Sequence, residues 1–497
     1  MKRQKNPNRI LLLVPLALVL FGLLVGTTCN KKANRTPDAP LISGPPHEGK
    51  DSPAEFSAFV SDPDGDSVSA RFAWGDGDTS DWSPWFASDA RTLVSHTWTE
   101  PDTYEIRAQS RDRDSALSDW SWPRKIRITH GWSRGIGGDA GEAAHCLAPT
   151  SDGGFVLAGW TESYSAGSYD AWLVKTDAVG TVTWDQTYGG TEWDAAYSVW
   201  QTTDGGFVLA GRTYTYAVGQ SDAWLIRTDG TGNQLWHKPF GGALHDRTYE
   251  VQQTSDGGYI LAGYTESKGA GGRDLWLIKT DASGTAQWDK TFGGTDDEVG
   301  HAVRETPDGG YIVAGYTESY GAGPRDAWLI KTDGSGNRIW HKYYGGDRFD
   351  HARCVRNTSD GGYIVAGYTE SYGSGGKNCW LIKTNDQGDK TWDKTYGGSQ
   401  DDEIYQAMES ADGGYLIYGY TASSGAGGRD AWLIKTGPTG TALWNMVFGG
   451  EEYDEALSGV ETPGGEVYLA GTTSSLPSES QDAWLIKADT LDMNGKN

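Results

Sequence analysis

The chain of 497 residues is poor in cysteine, methionine and basic residues. It has 4 Cys and 4 Met, and its 42 Lys and Arg are outnumbered by 67 Asp and Glu, for a formal net charge of −25 at pH 7. A protein that reads duplex nucleic acid needs clustered basic residues to replace phosphate counterions, so nucleic acid is excluded as a partner. The few cysteines show no C-x-x-C spacing, so no thiolate metal site is predicted. No disulfide is predicted either, because Cys146 and Cys354 are 208 residues apart, at equivalent positions four repeats of 52 residues from each other.

Glycine, tryptophan and tyrosine are abundant, at 70, 23 and 25 residues. This composition is too aromatic for a disordered acidic chain. It favours many short strands joined by tight turns over helices, because aromatic residues suit strands and glycine suits turns. The sequence therefore predicts an all-β protein.

The N-terminus has the order of an export signal. A basic segment is followed by an apolar run from Ile10 to Gly26, which predicts a signal peptide or membrane anchor over residues 1–29. Cys29 follows this run and resembles the lipidated cysteine of a bacterial lipoprotein. We expect export, with the chain held at the cell envelope or cell surface by lipid at Cys29 or by the apolar segment. Residues 30–40 are polar with two prolines and predict a tether.

An internal repeat of 52 residues organises most of the chain. Two tryptophan series run at this interval without an insertion: Trp172, Trp224, Trp276, Trp328, Trp380, Trp432 and Trp484, and Trp132, Trp184, Trp236, Trp288, Trp340, Trp392 and Trp444. Seven landmarks in register indicate seven copies of one structural unit.

Each unit resolves into four strand-like runs. In the fourth copy they cover residues 301–306, 311–317, 326–331 and 338–344, separated by turns rich in Asp, Gly and Asn. Four short antiparallel strands repeated seven times predict a seven-bladed β-propeller over residues 130–489, followed by a tail at 490–497. Trp132 lies in a fourth-strand segment that precedes any first strand, so we expect this N-terminal strand to complete the last blade and close the ring.

Two resemblances agree with this organisation. The run from Trp288-Asp-Lys-Thr-Phe-Gly-Gly to Asp326-Ala-Trp-Leu-Ile-Lys-Thr resembles the seven-bladed propeller repeat of exported bacterial proteins. Phe72-Ala-Trp-Gly-Asp-Gly-Asp and His96-Thr-Trp-Thr-Glu-Pro-Asp-Thr-Tyr resemble the signatures of a PKD domain. The second resemblance implies an Ig-like β-sandwich over residues 41–129 that acts as a spacer or weak adhesive module.

One acidic loop has the spacing of a calcium ligand set. Asp62, Asp64 and Asp66 stand at alternate positions, as carboxylates do in calcium loops. The alternative is a turn that is rich in Asp and Gly for backbone reasons. We expect no metal other than calcium, and no other cofactor.

Some charged positions are the same in every repeat. Two series are acidic or basic in all seven copies: Glu142, Asp194, Asp246, Glu298, Asp350, Asp402 and Asp454, and Lys175, Arg227, Lys279, Lys331, Lys383, Lys435 and Lys487. A binding or catalytic centre on a ring should break the symmetry. We therefore expect these residues to tie strands and turns together within each blade.

Candidate binding residues stand where the copies differ. A position near the start of the first strand and the loop between the second and third strands carry aromatic and basic groups, and in a propeller both would face one channel mouth. Such groups suit a sugar or peptide, since flat rings stack and charges orient. The alternative is that they only decorate polar loops. The predicted binding residues are His145, Tyr164, Tyr197, Tyr216, Tyr249, His301, Tyr320, Arg325, Arg353, Tyr372 and Tyr405.

These observations predict a non-catalytic binding or adhesion protein that presents one propeller face to an extracellular glycan or protein. No G-x-S-x-G, H-E-x-x-H or P-loop sequence is present. One alternative is a polysaccharide lyase or hydrolase that uses His145 or His301, and another is a structural envelope component without a small ligand. We expect a monomer, attached to the membrane by its N-terminal segment or lipid.

Overall fold

The structure is a computed structural model that describes residues 34–44, 47–50, 53–129, 131–475 and 480–490. In these ranges all helical or extended structure is β, and no helix is present that could cross a membrane. The predicted signal or anchor at 1–29, Cys29, the first part of the tether and nearly all of the predicted tail lie outside them. Contacts divide the chain into two compact units, one built mainly from residues 55–94 and 105–124, the other from residue 125 onward with short earlier segments.

The N-terminal region forms two sheets. Their strands are β1 (Leu41–Ser43), β2 (His47–Gly49), β3 (Pro53–Val60), β4 (Val68–Ala73), β5 (Ala90–Thr97), β6 (Thr103–Asp112) and β7 (Arg124–Thr129). One sheet has the order β1-β3-β5 and the other β2-β7-β6-β4. Buried rings join the two: Trp74 stacks on Phe72 at 5.0 Å between centroids and meets Phe56 of β3 edge-on at 5.8 Å. A shared aromatic core of this kind is what a β-sandwich requires.

The second region of the described chain consists of seven four-stranded antiparallel sheets, named sheets 1 to 7 in chain order. Sheets 1 to 3 comprise β9 (Glu142–Pro149), β10 (Phe155–Thr161), β11 (Asp170–Thr176), β12 (Val182–Tyr188); β13 (Asp194–Gln201), β14 (Phe207–Thr213), β15 (Asp222–Thr228), β16 (Gln234–Phe240); and β17 (Asp246–Gln253), β18 (Tyr259–Thr265), β19 (Asp274–Thr280), β20 (Ala286–Phe292). In sheets 1 to 6 the strands follow one another in sequence order, so hairpin connections join them within each sheet.

Sheets 4 to 7 follow the same plan. They comprise β21 (Glu298–Glu305), β22 (Tyr311–Thr317), β23 (Asp326–Thr332), β24 (Arg338–Tyr344); β25 (Asp350–Asn357), β26 (Tyr363–Thr369), β27 (Asn378–Thr384), β28 (Lys390–Tyr396); β29 (Asp402–Glu409), β30 (Tyr415–Thr421), β31 (Asp430–Thr436), β32 (Ala442–Phe448); and β33 (Asp454–Glu461), β34 (Val467–Thr473), β35 (Asp482–Ala488) with β8 (Trp132–Ile136). In sheet 7, β8 pairs with β35 from Trp132 opposite Lys487 to Ile136 opposite Ala483. The strand around Trp132 thus completes the last sheet, as the phase of the repeat predicts.

The core lies between neighbouring sheets. All residues of β22 and β23 are buried, whereas the fourth strand of each sheet is largely exposed or half-buried. One cluster packs Ile312 and Leu329 of sheet 4 against Val365 and Trp380 of sheet 5. Equivalent clusters join the other neighbours. The cluster that contains Leu157 and Trp172 of sheet 1 also contains Tyr468 and Leu485 of sheet 7, so the apolar core runs from the last sheet into the first.

A second contact between neighbours is made by the fourth-strand tryptophans. The ring of Trp288 lies against Gly336, in the turn before the fourth strand of the next sheet; a Cβ atom on this glycine would lie 2.6 Å from Trp288 Cζ3. Gly336 also has φ +76°, so the turn requires glycine for two reasons. The equivalent pairs are Trp184–Gly232, Trp236–Gly284, Trp340–Gly388 and Trp392–Gly440.

The repeated charged residues hold each sheet's turns, which confirms the structural interpretation of their symmetry. In sheet 4, the Glu298 carboxylate accepts hydrogen bonds from Thr317 Oγ1 at 2.8 Å, Ser319 N at 3.0 Å and Gly294 N at 2.7 Å. The Lys331 ammonium lies 2.9 Å from Asp308 and donates to the Thr332 carbonyl at 3.0 Å. These buried charges are therefore satisfied inside the sheet.

Candidate binding site

Every first strand of the seven sheets carries a β-bulge at the same place. In sheet 4, Gly300 pairs with Gly315 and Ala302 pairs with Ala314, which leaves His301 without a partner residue on β22. A bulge turns the extra side chain out of the regular alternation. The residues at the bulge position are His145, Tyr197, Tyr249, His301, Arg353, Tyr405 and Leu457.

A glycine of the second strand makes room for each bulge. At Gly315 of β22, a Cβ atom would overlap the carbonyl oxygen of Val299 and lie 2.8 Å from its carbonyl carbon. In each of the other sheets, a Cβ atom on the equivalent glycine would overlap the equivalent carbonyl oxygen of the first strand. These glycines are Gly159, Gly211, Gly263, Gly367, Gly419 and Gly471. The recurring Ala-Gly-Tyr-Thr sequence is thus explained by the close approach of the bulged strand.

The seven bulge residues line one cavity of about 100 Å³. The first strands contact one another in order from β9 to β33, and β33 in turn contacts β9. The remaining cavity walls are formed by Cys146, Ser198, Glu250, Ala302, Cys354, Arg356, Gln406 and Ser458. Since one water needs on the order of 10–15 Å³ by this measure, the cavity can admit a small polar ligand or the end group of a larger one.

Aromatic rings form a continuous belt along one side of the cavity. The ring centroids of His145 and Tyr197 are 5.1 Å apart, those of Tyr197 and Tyr249 5.7 Å, and those of Tyr249 and His301 4.6 Å. His351 extends this aromatic belt, at 4.7 Å from His301. Both ring nitrogens of His351 and Nε2 of His301 are buried without a hydrogen-bond partner within the protein.

The histidines of the aromatic belt are held neutral. Burial, and after it the positive charges of Arg247 and Arg212, lower the pKa of His145 to about 4. Burial is also the main cause that lowers the pKa of His301 well below its ordinary value, with Arg353 the next contributor. At neutral pH these rings therefore offer one donor and one acceptor nitrogen each, and no charge.

Ion pairs and a hydrogen bond to a carboxylate also lie in and beside the cavity wall. The Arg353 guanidinium lies 2.8 Å from Glu403, and Tyr405 donates its hydroxyl to Glu455 at 3.1 Å. At the cavity wall, Arg356 lies 3.4 Å from Glu250. The Glu250 carboxylate is shared with a second arginine, Arg304 of β21.

Five of the predicted binding residues do not line this cavity. Four are tyrosines of the loop between the second and third strands, whose rings pack on third-strand tryptophans and whose hydroxyls donate to glycine carbonyls at 2.8–3.0 Å: Tyr164, Tyr216, Tyr320 and Tyr372. Arg325 lies 4.1 Å over the Tyr316 ring and forms an ion pair with Glu318. These polar groups are used within the loops, whereas the other six predicted residues are brought together.

The second residue of each bulge was not predicted from the sequence. Glu250, Gln406 and the other residues that directly follow the bulge position also face the cavity. Regular alternation along a strand would send them to the opposite side. A bulge breaks that alternation, so consecutive side chains share one face.

At the predicted calcium loop, the carboxylates serve the turn. Asp62 Oδ1 accepts hydrogen bonds from the backbone of Asp64 at 2.8 Å and of Asp66 at 3.2 Å. The Asp64 carboxylate lies 2.9 Å from Arg35. These bonds are those of an Asp-Gly turn, and calcium binding stays a prediction.

Comparison with known proteins identifies the N-terminal region. Residues 47–121 match the PKD domain family. The chain is similar to the PKD domain of an M14-like peptidase from Thermoplasmatales archaeon SCGC AB-540-F20, with 30% identity over 19% of this chain and 98% of that one and a TM-score of 0.19. It is also similar to the extracellular domain of a hybrid two-component system from B. thetaiotaomicron, with 7% identity over 93% of this chain and 69% of that one and a TM-score of 0.29.

No curated protein matches the chain. The family match covers most of the region predicted to be PKD-like and does not extend into the repeated sheets. The chain therefore contains a PKD domain at residues 47–121 within an all-β protein of repeated four-stranded sheets.

Proposed function

We propose that the seven sheets are the blades of a closed seven-bladed β-propeller, and that the chain is an exported, envelope-tethered binding protein. Its ligand is an extracellular glycan or protein that enters the cavity between the bulges. The domains are the PKD-like sandwich at 41–129 and the propeller at 130–489, and the protein acts as a monomer without catalysis.

Closure of the ring is supported by contacts between the first and last sheets. Leu147 N donates to Ser458 Oγ at 3.1 Å, which joins β9 to β33. The same kind of bond joins neighbours elsewhere, as from Val251 N to Ser198 Oγ at 3.2 Å. A cavity lined by residues of all seven first strands also fits the axial channel of a propeller.

Export is supported by the first 29 residues, in which a basic segment precedes an apolar run, and by the PKD domain. The N-terminal segment would hold the protein at the envelope, either as an anchor or through lipid at Cys29. Along the chain, the PKD-like domain lies between this attachment and the propeller.

The binding function is supported by a difference between two sets of residues, those that tie each sheet together and those that line the cavity. Residues that tie each sheet together, such as Lys331 and its equivalents, have the same charge in every sheet. The bulge position holds four residue types: His, Tyr, Arg and Leu. Because packing does not require this variety, the cavity residues are free to fit a ligand.

Binding to a broad array of glycans and envelope proteins tests this function. The full-length chain should give a saturable signal that falls at least about tenfold in Tyr249→Leu and Tyr405→Leu, because each loses a ring or hydroxyl in the cavity. Leucine already occupies the equivalent position at Leu457, so both variants should fold.

The control is Tyr343→Thr on the outer strand β24, where threonine occupies the equivalent position in other sheets, as at Thr291. This variant should bind like the unmodified chain. Absence of any saturable ligand, or equal loss in the control and cavity variants, would overturn the proposed function.

A further inference from the structure

Two arginines beside the cavity have no carboxylate partner. Arg247 of β17 donates to the Tyr249 hydroxyl at 3.1 Å, and its guanidinium lies 5.1 Å over the Tyr197 ring. Arg212 of β14 lies 5.5 Å over the Tyr214 ring. Across the ranges that the structure describes, neither forms an ion pair, and Nε of each is buried without an acceptor.

Several other cationic side chains on the loops and strands near the cavity are paired with carboxylates. Arg353 and Lys377 share Glu403, at 2.8 and 3.4 Å. Arg429 lies 2.7 Å from Glu455. Two further pairs, Arg273–Glu266 and Arg325–Glu318, follow the same rule. Arg212 and Arg247, called the cationic pair below, differ from these side chains because neither has a carboxylate partner among the described residues.

The framework does not require an arginine at either place. The equivalents of Arg247 are Ala143, Ala195, Val299, His351, Glu403 and Glu455, and those of Arg212 are Trp160, Tyr264, Tyr316, Tyr368, Tyr420 and Thr472. Sheets with these other residues form the same strands and the same bulge. The two guanidiniums are thus an addition to the fold.

The Arg247 guanidinium lies over the rings of Tyr197 and Tyr249, at 5.1 and 5.4 Å from their centroids, and both rings line the cavity. Arg247 and Arg212 each contribute, after burial, to the lowered pKa of His145. Burial raises the pKa of Tyr197, the next ring of the aromatic belt, and the same two arginines oppose that rise. A guanidinium without an anionic partner in a partly buried site attracts an anion strongly, and its planar fork matches a carboxylate. The chain as a whole has a net charge of −25, so a local cationic pair would be needed to hold an anionic ligand.

We propose that Arg212 and Arg247 bind the carboxylate of an acidic sugar residue at the end of a glycan, whose ring lies against the aromatic belt. This proposal rests on the proposed binding function and specifies its ligand class. A sugar is favoured over a peptide because Tyr197, Tyr249 and the flanking histidines offer a row of flat rings, on which the C–H face of a pyranose can stack. The neutral side-chain hydroxyls and imidazoles then meet the sugar hydroxyls.

Calorimetric titration of the full-length chain tests the proposal with matched ligands. The probes are short oligomers of galacturonate, glucuronate and mannuronate, each compared with its methyl ester, which has the same sugar without the charge. One acid should bind at least about tenfold more tightly than its ester, since a charge-assisted contact to arginine is lost in the ester. Added salt should weaken binding of the acid more than that of the ester.

Variants then assign the charge to the cationic pair. Arg247→Gln should abolish the difference between acid and ester, and Arg247→Lys should retain part of it. The control is Arg338→Gln on the outer strand β24, an exposed arginine whose loss changes the net charge equally and should leave the difference intact. If Arg247→Gln does not fold, two other measurements test the proposal. They are the difference between acid and ester in Arg247→Lys and the salt dependence of acid binding to the unmodified chain.

The outcomes separate this proposal from the function on which it rests. Equal binding of acid and ester, or an unchanged preference in Arg247→Gln, would overturn the cationic pair as the carboxylate site while leaving a glycan-binding cavity in place. Binding of an acidic peptide with no binding of any sugar would overturn the acidic-sugar ligand. Failure of every sugar and protein tested would overturn the proposal and the proposed function together.

Discussion

The indole of Trp132 lies against Gly180, although these residues belong to the last and the first of the seven sheets. A Cβ atom on Gly180 would lie 2.6 Å from Trp132 Cζ3, the same distance as between Gly336 and Trp288 Cζ3. A residue near the start of the region thus makes, across the junction of sheets 7 and 1, the contact that elsewhere joins consecutive sheets. The junction of sheets 7 and 1 thus has the same tryptophan–glycine contact as five other boundaries between sheets.

This equivalence predicts similar losses of stability in Trp132→Ala and Trp288→Ala. Each removes a half-buried indole from a boundary between sheets, at a cost of about 3 kcal/mol in the free energy of unfolding. Thermal unfolding followed by tryptophan fluorescence would measure both midpoints. A large shift for Trp288→Ala with none for Trp132→Ala would contradict a closed ring.

Trp328→Ala should be among the most destabilising single changes in the region. Its side chain is 0% exposed and packs with Ile260, Leu277 and Val313 of the neighbouring sheet and its own. Loss of this ring should cost about 3–5 kcal/mol. Trp200→Ala is the control, because Trp200 is 38% exposed, and its thermal midpoint should move far less. Equal midpoints for the two variants would refute the assigned core.

Gly315→Ala should destabilise the fold through the bulge of β21. The new methyl group would overlap the Val299 carbonyl, so β21 and β22 would have to separate, at a cost of about 1–3 kcal/mol or more. Gly464→Ala is a suitable comparison, since the nearest atom to its Cβ is Thr462 Oγ1 at 3.7 Å. Chemical denaturation would show the difference, and matching midpoints would argue against the close approach.

Acid should weaken the protein between pH 6.5 and 4 through His145. The pKa of this side chain falls from 6.5 to about 4 on folding, so the unfolded chain takes up the proton first. The stabilisation is complete above pH 6.5 and is lost as the pH falls towards 4, with a total of at most about 3 kcal/mol. Burial also lowers the pKa of His301 and His351, so these side chains likewise make the folded chain less stable in acid.

His145→Leu removes one of these groups, and leucine occupies the equivalent position at Leu457. The free energy of unfolding of this variant should depend less steeply on pH in that window than the free energy of the unmodified chain. Denaturant titrations at several pH values would give both slopes. Identical slopes would mean that His145 is already accessible to protons in the folded state.

The strands could be predicted closely where turns mark their ends. The runs at 311–317 and 338–344 coincide with β22 and β24. The first strand was harder: residues 301–306 were expected, but β21 is Glu298–Glu305. An acidic residue is a poor strand signal, and only the structure shows that Thr317 and Ser319 satisfy the buried Glu298.

The candidate site could be predicted in part, because asymmetry among copies of a repeat is visible in the sequence. That comparison led to His301 and its equivalents, which do meet in one cavity. It did not show that the Tyr320 hydroxyl turns to the Gly293 carbonyl, since a loop tyrosine can face either way. Nor could it show Glu250 in the cavity wall, because a bulge cannot be read from the alternation it interrupts.

The bulges also separate what holds the protein together from what a ligand can touch. A residue such as His301 has no partner on the neighbouring strand, so the hydrogen-bond ladder places no demand on its side chain. The seven bulge positions accept different side chains on the same backbone, since His, Tyr, Arg and Leu already occupy them. The cavity lining can therefore change by one substitution at a time, while the pairing of the strands stays the same.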